Sequence, residues 1–237
     1  MAELIRLENI RKSYGENEVL KNITISIQEK EFVTLLGPSG CGKTTTLRIL
    51  GGFENPDSGR ILFDGKDITN VPSNRRNLNT VFQNYALFPH MTVGDNVAFG
   101  LRVKGMNESD VKEKVHYGLK LVNLEGYENR KISQMSGGQQ QRVGIARALV
   151  TDPDIIFADE PTGNLDSKTS DDVMRSMCDT VKSHGKTFIM VTHDPNMAAY
   201  ADKVINILDG RITDIYFNRH ETVGDKAEIR EEIKKEA

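Results

Sequence analysis

Apolar and polar residues alternate over residues 22–27, where Ile23, Ile25 and Ile27 are separated by Thr24 and Ser26. A period of two predicts a strand with one exposed face, as in an antiparallel sheet. Residues 4–7 read as an earlier strand. Residues 59–63, followed by Asp64-Gly65, read as a strand entering a tight hairpin turn. Phe32-Val33-Thr34-Leu35-Leu36 is almost wholly apolar, the pattern of a strand covered on both faces. From about 91 to 149 the period becomes helical: Val111, Val115, Leu119 and Val122 recur behind a cap at Asn107 or Ser109. Buried-strand patterns return at 154–158, 187–192 and 204–208. A helix over about 168–183 separates the first two. It carries Val173, Met177 and Val181 on one face and stops at Gly185. Asp209-Gly210 is another hairpin-type turn.

This alternation predicts an α/β core of parallel strands, an antiparallel β subdomain near the N-terminus, and an inserted helical subdomain over about 86–152. Residues 1–218 read as one domain. Residues 219–237 read as a charged tail, a solvated helix or frayed end.

Gly37-Pro38-Ser39-Gly40-Cys41-Gly42-Lys43-Thr44 matches the pattern G-x-x-x-x-G-K-[ST] in full. A chance match is expected in about one chain per hundred of this length, so context decides. The motif follows the apolar strand ending at Leu36 and opens a helix through Leu47, Ile49 and Leu50, the setting of a phosphate-binding loop in a P-loop NTPase fold. Its glycines let successive N–H groups point at phosphate oxygens, and the helix start adds partial positive charge. Lys43 can then reach the β- and γ-phosphates, and the Thr44 hydroxyl can ligate Mg²⁺. Thr45 is placed to hold the α-phosphate or to cap the helix.

Ile155-Ile156-Phe157-Ala158-Asp159-Glu160 is an apolar strand ending in two carboxylates. Beside a phosphate loop, Asp159 is suited to hold Mg²⁺ and Glu160 to orient or deprotonate the attacking water. Ser136 and Gln139, around Gly137-Gly138, form a capping box ahead of a helix carrying Val143, Ile145, Ala146 and Leu149. This is a second helix start suited to an anion. Taken alone, Gln83 reads as a surface amide, His193 as a strand-end histidine and Tyr14 as an edge-strand aromatic.

Bulk properties remove alternatives. Lys and Arg total 31 against 34 Asp and Glu, a net charge of −3, so no nucleic-acid partner is expected. Cys41 and Cys178 form no metal or disulfide pattern and fit a reducing cytosol. The N-terminus lacks a secretory signal and no apolar run is long enough to span a bilayer, so a soluble chain is expected, reaching any membrane through a partner.

The order of the phosphate loop, Gln83, Met135-Ser136-Gly137-Gly138-Gln139, Asp159-Glu160, Leu165-Asp166 and His193 resembles the nucleotide-binding domains of ABC transporters. The resemblance covers about residues 4–216. It implies ATP and Mg²⁺ as ligands, with Thr44, Gln83 and Asp159 toward the metal and Glu160, His193 and Gln83 toward the γ-phosphate. It implies a head-to-tail homodimer in which Ser136–Gln139 of one subunit closes on the ATP held by the other's Lys43. Asp166 lies in the loop linking the two sites, and Tyr14 stacks on adenine. Met135 stands where the family usually has Leu, an exchange of similar size and apolarity.

The implied partners are transmembrane permease subunits and, in importers, a solute-binding protein. The implied location is cytoplasmic, on the inner face of the membrane. Residues 85–90, with Phe88, match the region that receives the permease and predict a partly exposed apolar patch. Residues 79–93 look like importers of polyamines, iron, sulfate or sugars, which usually carry a further C-terminal β-rich domain that 237 residues leave no room for. Residues 159–167 look instead like lipoprotein-release, macrolide-export and cell-division ATPases. A soluble ABC ATPase of DNA-repair or ribosomal type lacks support, since neither a long inserted coiled coil nor a tandem second domain is present.

Overall fold

The computed structural model describes residues 2–218. It has two sheets. Strands β1 (Glu3–Tyr14), β2 (Asn17–Gln28), β4 (Ser58–Phe63) and β5 (Lys66–Asp67) form an antiparallel sheet in the order β2-β1-β4-β5. The second sheet runs β10-β9-β3-β8-β7-β6, from β3 (Phe32–Leu36), β6 (Leu78–Phe82), β7 (Ile155–Asp159), β8 (Thr187–Thr192), β9 (Lys203–Leu208) and β10 (Arg211–Phe217). Its neighbours pair in parallel except β9 and β10, which flank the hairpin turn at Asp209-Gly210.

The parallel strands are apolar because both their faces are buried. Phe32, Ile156, Ala158, Phe188 and Met190 enter one core, while Val33, Leu35, Ile155, Phe157, Ile189 and Val191 enter the other. The first core packs helices α2 (Val93–Val103), α3 (Glu108–Leu121), α4 (Gly137–Leu149) and α5 (Ser167–Ser183). The second lies between the two sheets and swallows the apolar side of α1 (Lys43–Leu50), with Leu47, Ile49 and Leu50 buried. Ile23, Ile25 and Ile27 close this layer from β2, as their alternation predicts. A short α6 (Pro195–Ala198) follows β8.

Several boundaries differ from the sequence reading. β1 continues from residue 7 to Tyr14, past a register shift and the left-handed Asn9 (φ 54°) that break the alternation. Tyr14 therefore ends an interior strand rather than lying on an edge strand. β6 and β10 are additional strands. Asn107 caps α3, accepting from the Asp110 N–H, and Gly185 follows α5 with φ 59°. Residues 219–237, read as a charged tail, lie outside the described residues.

Candidate functional site

The parallel strands deliver the predicted side chains to one edge. Gln83 follows β6, Asp159 and Glu160 end β7, His193 follows β8, and the loop 37–42 follows β3. Their adjacency in the order β3-β8-β7-β6 gathers segments up to 156 positions apart at the C-terminal ends of the strands, where open parallel sheets form ligand crevices.

In the loop, Gly42 adopts φ 107°, and a Cβ there would meet Leu20 Cδ2 at 2.6 Å and Val19 O at 3.0 Å, so only glycine fits. Pro38, Ser39 and Gly40 are exposed, Gly37 is half-buried, and Cys41 is buried. Lys43 is buried, and its ammonium donates to Gly37 O at 2.7 Å and Pro38 O at 2.8 Å. Among the described residues no carboxylate pairs with it. Cys41 Sγ lies 3.9 Å from the ammonium. A buried cation compensated by neutral dipoles, at a helix start, is suited to an anion. Thr45 is half-buried in the first turn of α1.

The Thr44 hydroxyl donates to Asp159 Oδ1 at 3.2 Å. Burial pushes the Asp159 carboxyl above its ordinary range; the Thr44 hydrogen bond opposes this and the neighbouring Glu160 charge adds to it. Hydroxyl and carboxylate oxygens so close form a hard-ligand pair that fits Mg²⁺. Glu160 occupies φ 45°, rare for a residue with a side chain and further restricted before Pro161. Its N–H donates to Val191 O at 3.0 Å, and its Oε1 lies 3.1 Å from His193 Nδ1. A crevice of about 580 Å³ beside them is lined by Glu160, Gly163, Leu165, Thr192 and His193.

The other predicted residues lie around this centre. Gln83 reaches Gly163, whose added Cβ would meet Gln83 Nε2 at 2.7 Å, and Gln83 O accepts from Asn164 Nδ2 at 3.1 Å. Ser136 caps α4, with both halves of the capping box formed with Gln139. The two glycines between them are also required by packing. A Cβ on Gly138 would meet Thr169 Cγ2 at 2.4 Å, and one on Gly137 would meet Tyr85 Oη at 2.9 Å. No hydrogen bond among the described residues joins Ser136–Gln139 to the loop 37–45. The Asp166 carboxylate caps α5, accepting from the Thr169 N–H at 3.1 Å and its hydroxyl at 2.6 Å, which holds it below the ordinary range. The Tyr14 ring is exposed, with Lys12 Nζ 5.4 Å from its centroid.

Sequence reasoning missed three polar groups, the half-buried Arg147 and the buried Arg76 and Gln141. Arg147 donates to Ala86 O at 2.7 Å and Tyr85 O at 3.1 Å, both residues left-handed, and burial lowers its pKa. Arg76 donates to five carbonyls, those of Ile49, Leu50, Ile68, Thr69 and Val71. Gln141 donates to Pro161 O at 2.6 Å. Arg147 and Gln141 act on backbone far away in sequence, and Arg76 joins nearby loop carbonyls to the distant end of α1, so none leaves a local signal. Phe88 is half-buried and packs on the exposed Phe99 at 4.6 Å between centroids, the partly exposed patch expected of this segment.

The family model described as ABC transporter matches residues 20–163. The chain belongs to the ABC transporter family. It is 55 % identical over 210 residues to the spermidine/putrescine import ATP-binding protein PotA of Acetivibrio thermocellus, covering 88 % of this chain and 60 % of that protein. It is 50 % identical over 214 residues to PotA of Clostridium novyi, covering 90 % and 62 %. The chain thus spans about three fifths of those relatives. Among solved structures, the dimeric post-hydrolysis state of the ATP-binding cassette MJ0796 bound to ADP and Pi matches with a TM-score of 0.81 and 37 % identity, over 92 % of this chain and 100 % of that one. The cbiO1 structure from Clostridium perfringens, part of the transporter complex cbiONQ, gives 0.87 and 30 %, over 98 % and 94 %. The fold is therefore the ABC cassette, and no helix among the described residues is long and apolar enough to cross a membrane.

Proposed function

We propose that this chain binds Mg-ATP, hydrolyses it as a head-to-tail homodimer, and thereby drives a permease that imports a polyamine or similar small solute. The observation that carries the reading is the buried, carboxylate-free Lys43 beside the Thr44–Asp159 pair. The unit responsible is residues 1–218, with a helical subdomain over about 86–152.

Lys43 exchanges its two carbonyl acceptors for β- and γ-phosphate oxygens, while the loop N–H groups and Thr45 hold the rest of the triphosphate. Thr44, Asp159 and Gln83, which follows β6, would hold Mg²⁺, and the ion would supply positive charge against the negative charge of the phosphates. Glu160 accepts the proton of the attacking water, and His193, bonded to Glu160, also reaches the γ-phosphate. Tyr14 offers its exposed ring to adenine. Ser136, Gly137, Gly138 and Gln139 close on the nucleotide of the partner subunit, and Asp166 lies in the loop at that junction.

Phosphate release removes contacts shared by both subunits and opens the dimer. The patch of Phe88 and Phe99 transmits the motion to a permease at the inner face of the membrane, with a solute-binding protein supplying cargo. The polyamine assignment rests on relatives named for spermidine/putrescine import.

The test is size-exclusion chromatography with light scattering on Glu160→Gln chain. Mg-ATP is expected to double its mass; a persistent monomer at saturating Mg-ATP overturns the dimer. Pull-down of the same variant from source membranes is expected to recover an importer-type permease whose ATPase rises with spermidine. Recovery of an exporter-type subunit overturns the polyamine assignment.

A further inference from the structure

Gln141 is fully buried on α4, one turn past the glycines of the second helix start, yet it is half unsatisfied. Its Nε2 donates to Pro161 O at 2.6 Å, while its Oε1 has no partner among the described residues. Flipping the amide would set two oxygens face to face, so the donor must face Pro161. A buried orphan acceptor is a stability burden, and its retention marks a place where the other half of the group is needed.

Pro161 follows Glu160, the residue held at φ 45°. The segment from Glu160 is held by its own backbone and by neighbours outside α4: Asn164 Nδ2 donates to Gln83 O at 3.1 Å and to Asn84 Oδ1 at 3.0 Å, and the Ser170 hydroxyl donates to Thr162 O and Leu165 O at 3.5 Å. The Glu160 N–H donates to Val191 O, the Gly163 N–H to Glu160 O at 3.0 Å, and the Leu165 N–H to Thr162 O at 3.0 Å. Among the described residues, Gln141 makes the one hydrogen bond between this segment and α4. Packing supports it, since Leu165 lies against Gly137. In the head-to-tail dimer, α4 serves the partner's ATP while Glu160 serves its own.

We infer that Gln141 is a positioning residue that couples the two ATP sites within each chain: seating of α4 on the partner's nucleotide sets the Glu160–Pro161 peptide, and with it the carboxylate that takes the proton from water. The inference rests on the dimer proposed above.

The test compares the wild-type chain with Gln141→Met, which keeps length and apolar bulk, loses the donor and removes the orphan oxygen. The kcat for Mg-ATP is expected to fall at least fivefold while the Mg-ATP dissociation constant stays within threefold and the melting temperature is kept. A smaller fall in kcat, or an equal loss of affinity, overturns the assignment. Hydrogen exchange on the wild-type chain needs no variant. Mg-ATP is expected to protect residues 137–141 and 161–165 with midpoints within threefold of each other; a wider separation overturns the coupling even if Gln141→Met does not fold. The Glu160→Gln dimerisation assay separates the two levels. A normal dimer with a fully active Gln141→Met removes only Gln141. A monomeric Glu160→Gln removes the dimer and this inference with it.

Discussion

Thr44 and Asp159 stand 115 positions apart, yet the hydroxyl of one donates to the carboxylate of the other at 3.2 Å. Burial raises the Asp159 pKa. Between the unfolded carboxylate value, about 4, and that raised value, the folded chain binds more protons than the unfolded one. Stability therefore falls as pH rises through this window. Asp159→Asn is expected to remove that slope and to melt higher than wild type at pH 7 without Mg²⁺, while losing at least a hundredfold in Mg-dependent ATPase. Melts at pH 4 and pH 7 with and without the substitution check the sign; a variant less stable at pH 7 contradicts it.

Lys43 carries a related penalty, since its ammonium is buried against two carbonyls and the Cys41 sulfur with no carboxylate paired to it among the described residues. Lys43→Met is expected to melt at or above the wild-type temperature while binding ATP about a hundredfold more weakly, the loss of a charge-assisted phosphate contact of about 3 kcal/mol. Fluorescent-nucleotide titration beside a thermal melt reads both numbers. Unchanged affinity would show that the loop holds phosphate without its lysine.

Arg76 presents the opposite case. It is buried and donates to the last-turn carbonyls Ile49 and Leu50 of α1 as well as to Ile68, Thr69 and Val71. Arg76→Met leaves these acceptors short of donors and removes a cation from a helix C-terminus, so a loss of about 3 kcal/mol is expected. For a chain of this size that lowers the melting temperature by roughly 6–12 °C. A shift under about 2 °C would mean that water replaces the guanidinium.

The exposed Phe99 ring extends the half-buried Phe88. Phe99→Ala is expected to weaken capture of the permease about tenfold, in line with an interface aromatic worth about 1.5–3 kcal/mol. Pull-down titration against detergent-solubilised permease measures it, and undiminished capture would move the docking surface elsewhere.

Where burial alone decided an element, the sequence carried it. Phe32–Leu36 and Thr187–Thr192 are strands because both faces are apolar, and α5 shows its stripe of Val173, Met177 and Val181. The phosphate loop, the capping box and the acidic pair were legible because their chemistry needs adjacent residues. β6 was hidden by polar Asn79 and Thr80. Asn79 Nδ2 donates to Ala148 O and Thr151 Oγ1, residues about 70 positions away, and the Thr80 hydroxyl is buried with no partner among the described residues. β10 was hidden because most of its residues are exposed. Gln141, Arg147 and Arg76 acquire meaning only from carbonyls that the fold brings to them.

The strand order has a consequence for how the chain is made. β3, which leads into the phosphate loop, has its partners in β8 and β9; Phe32 pairs with Phe188, 156 positions later. At about 5–20 residues per second of synthesis, a nascent chain waits roughly 8–30 s between making the loop and making the strands that flank it. Throughout that interval β3 has two open edges and a lysine already in place. The loop is thus made early and seated late, once β8 and β9 pair with β3.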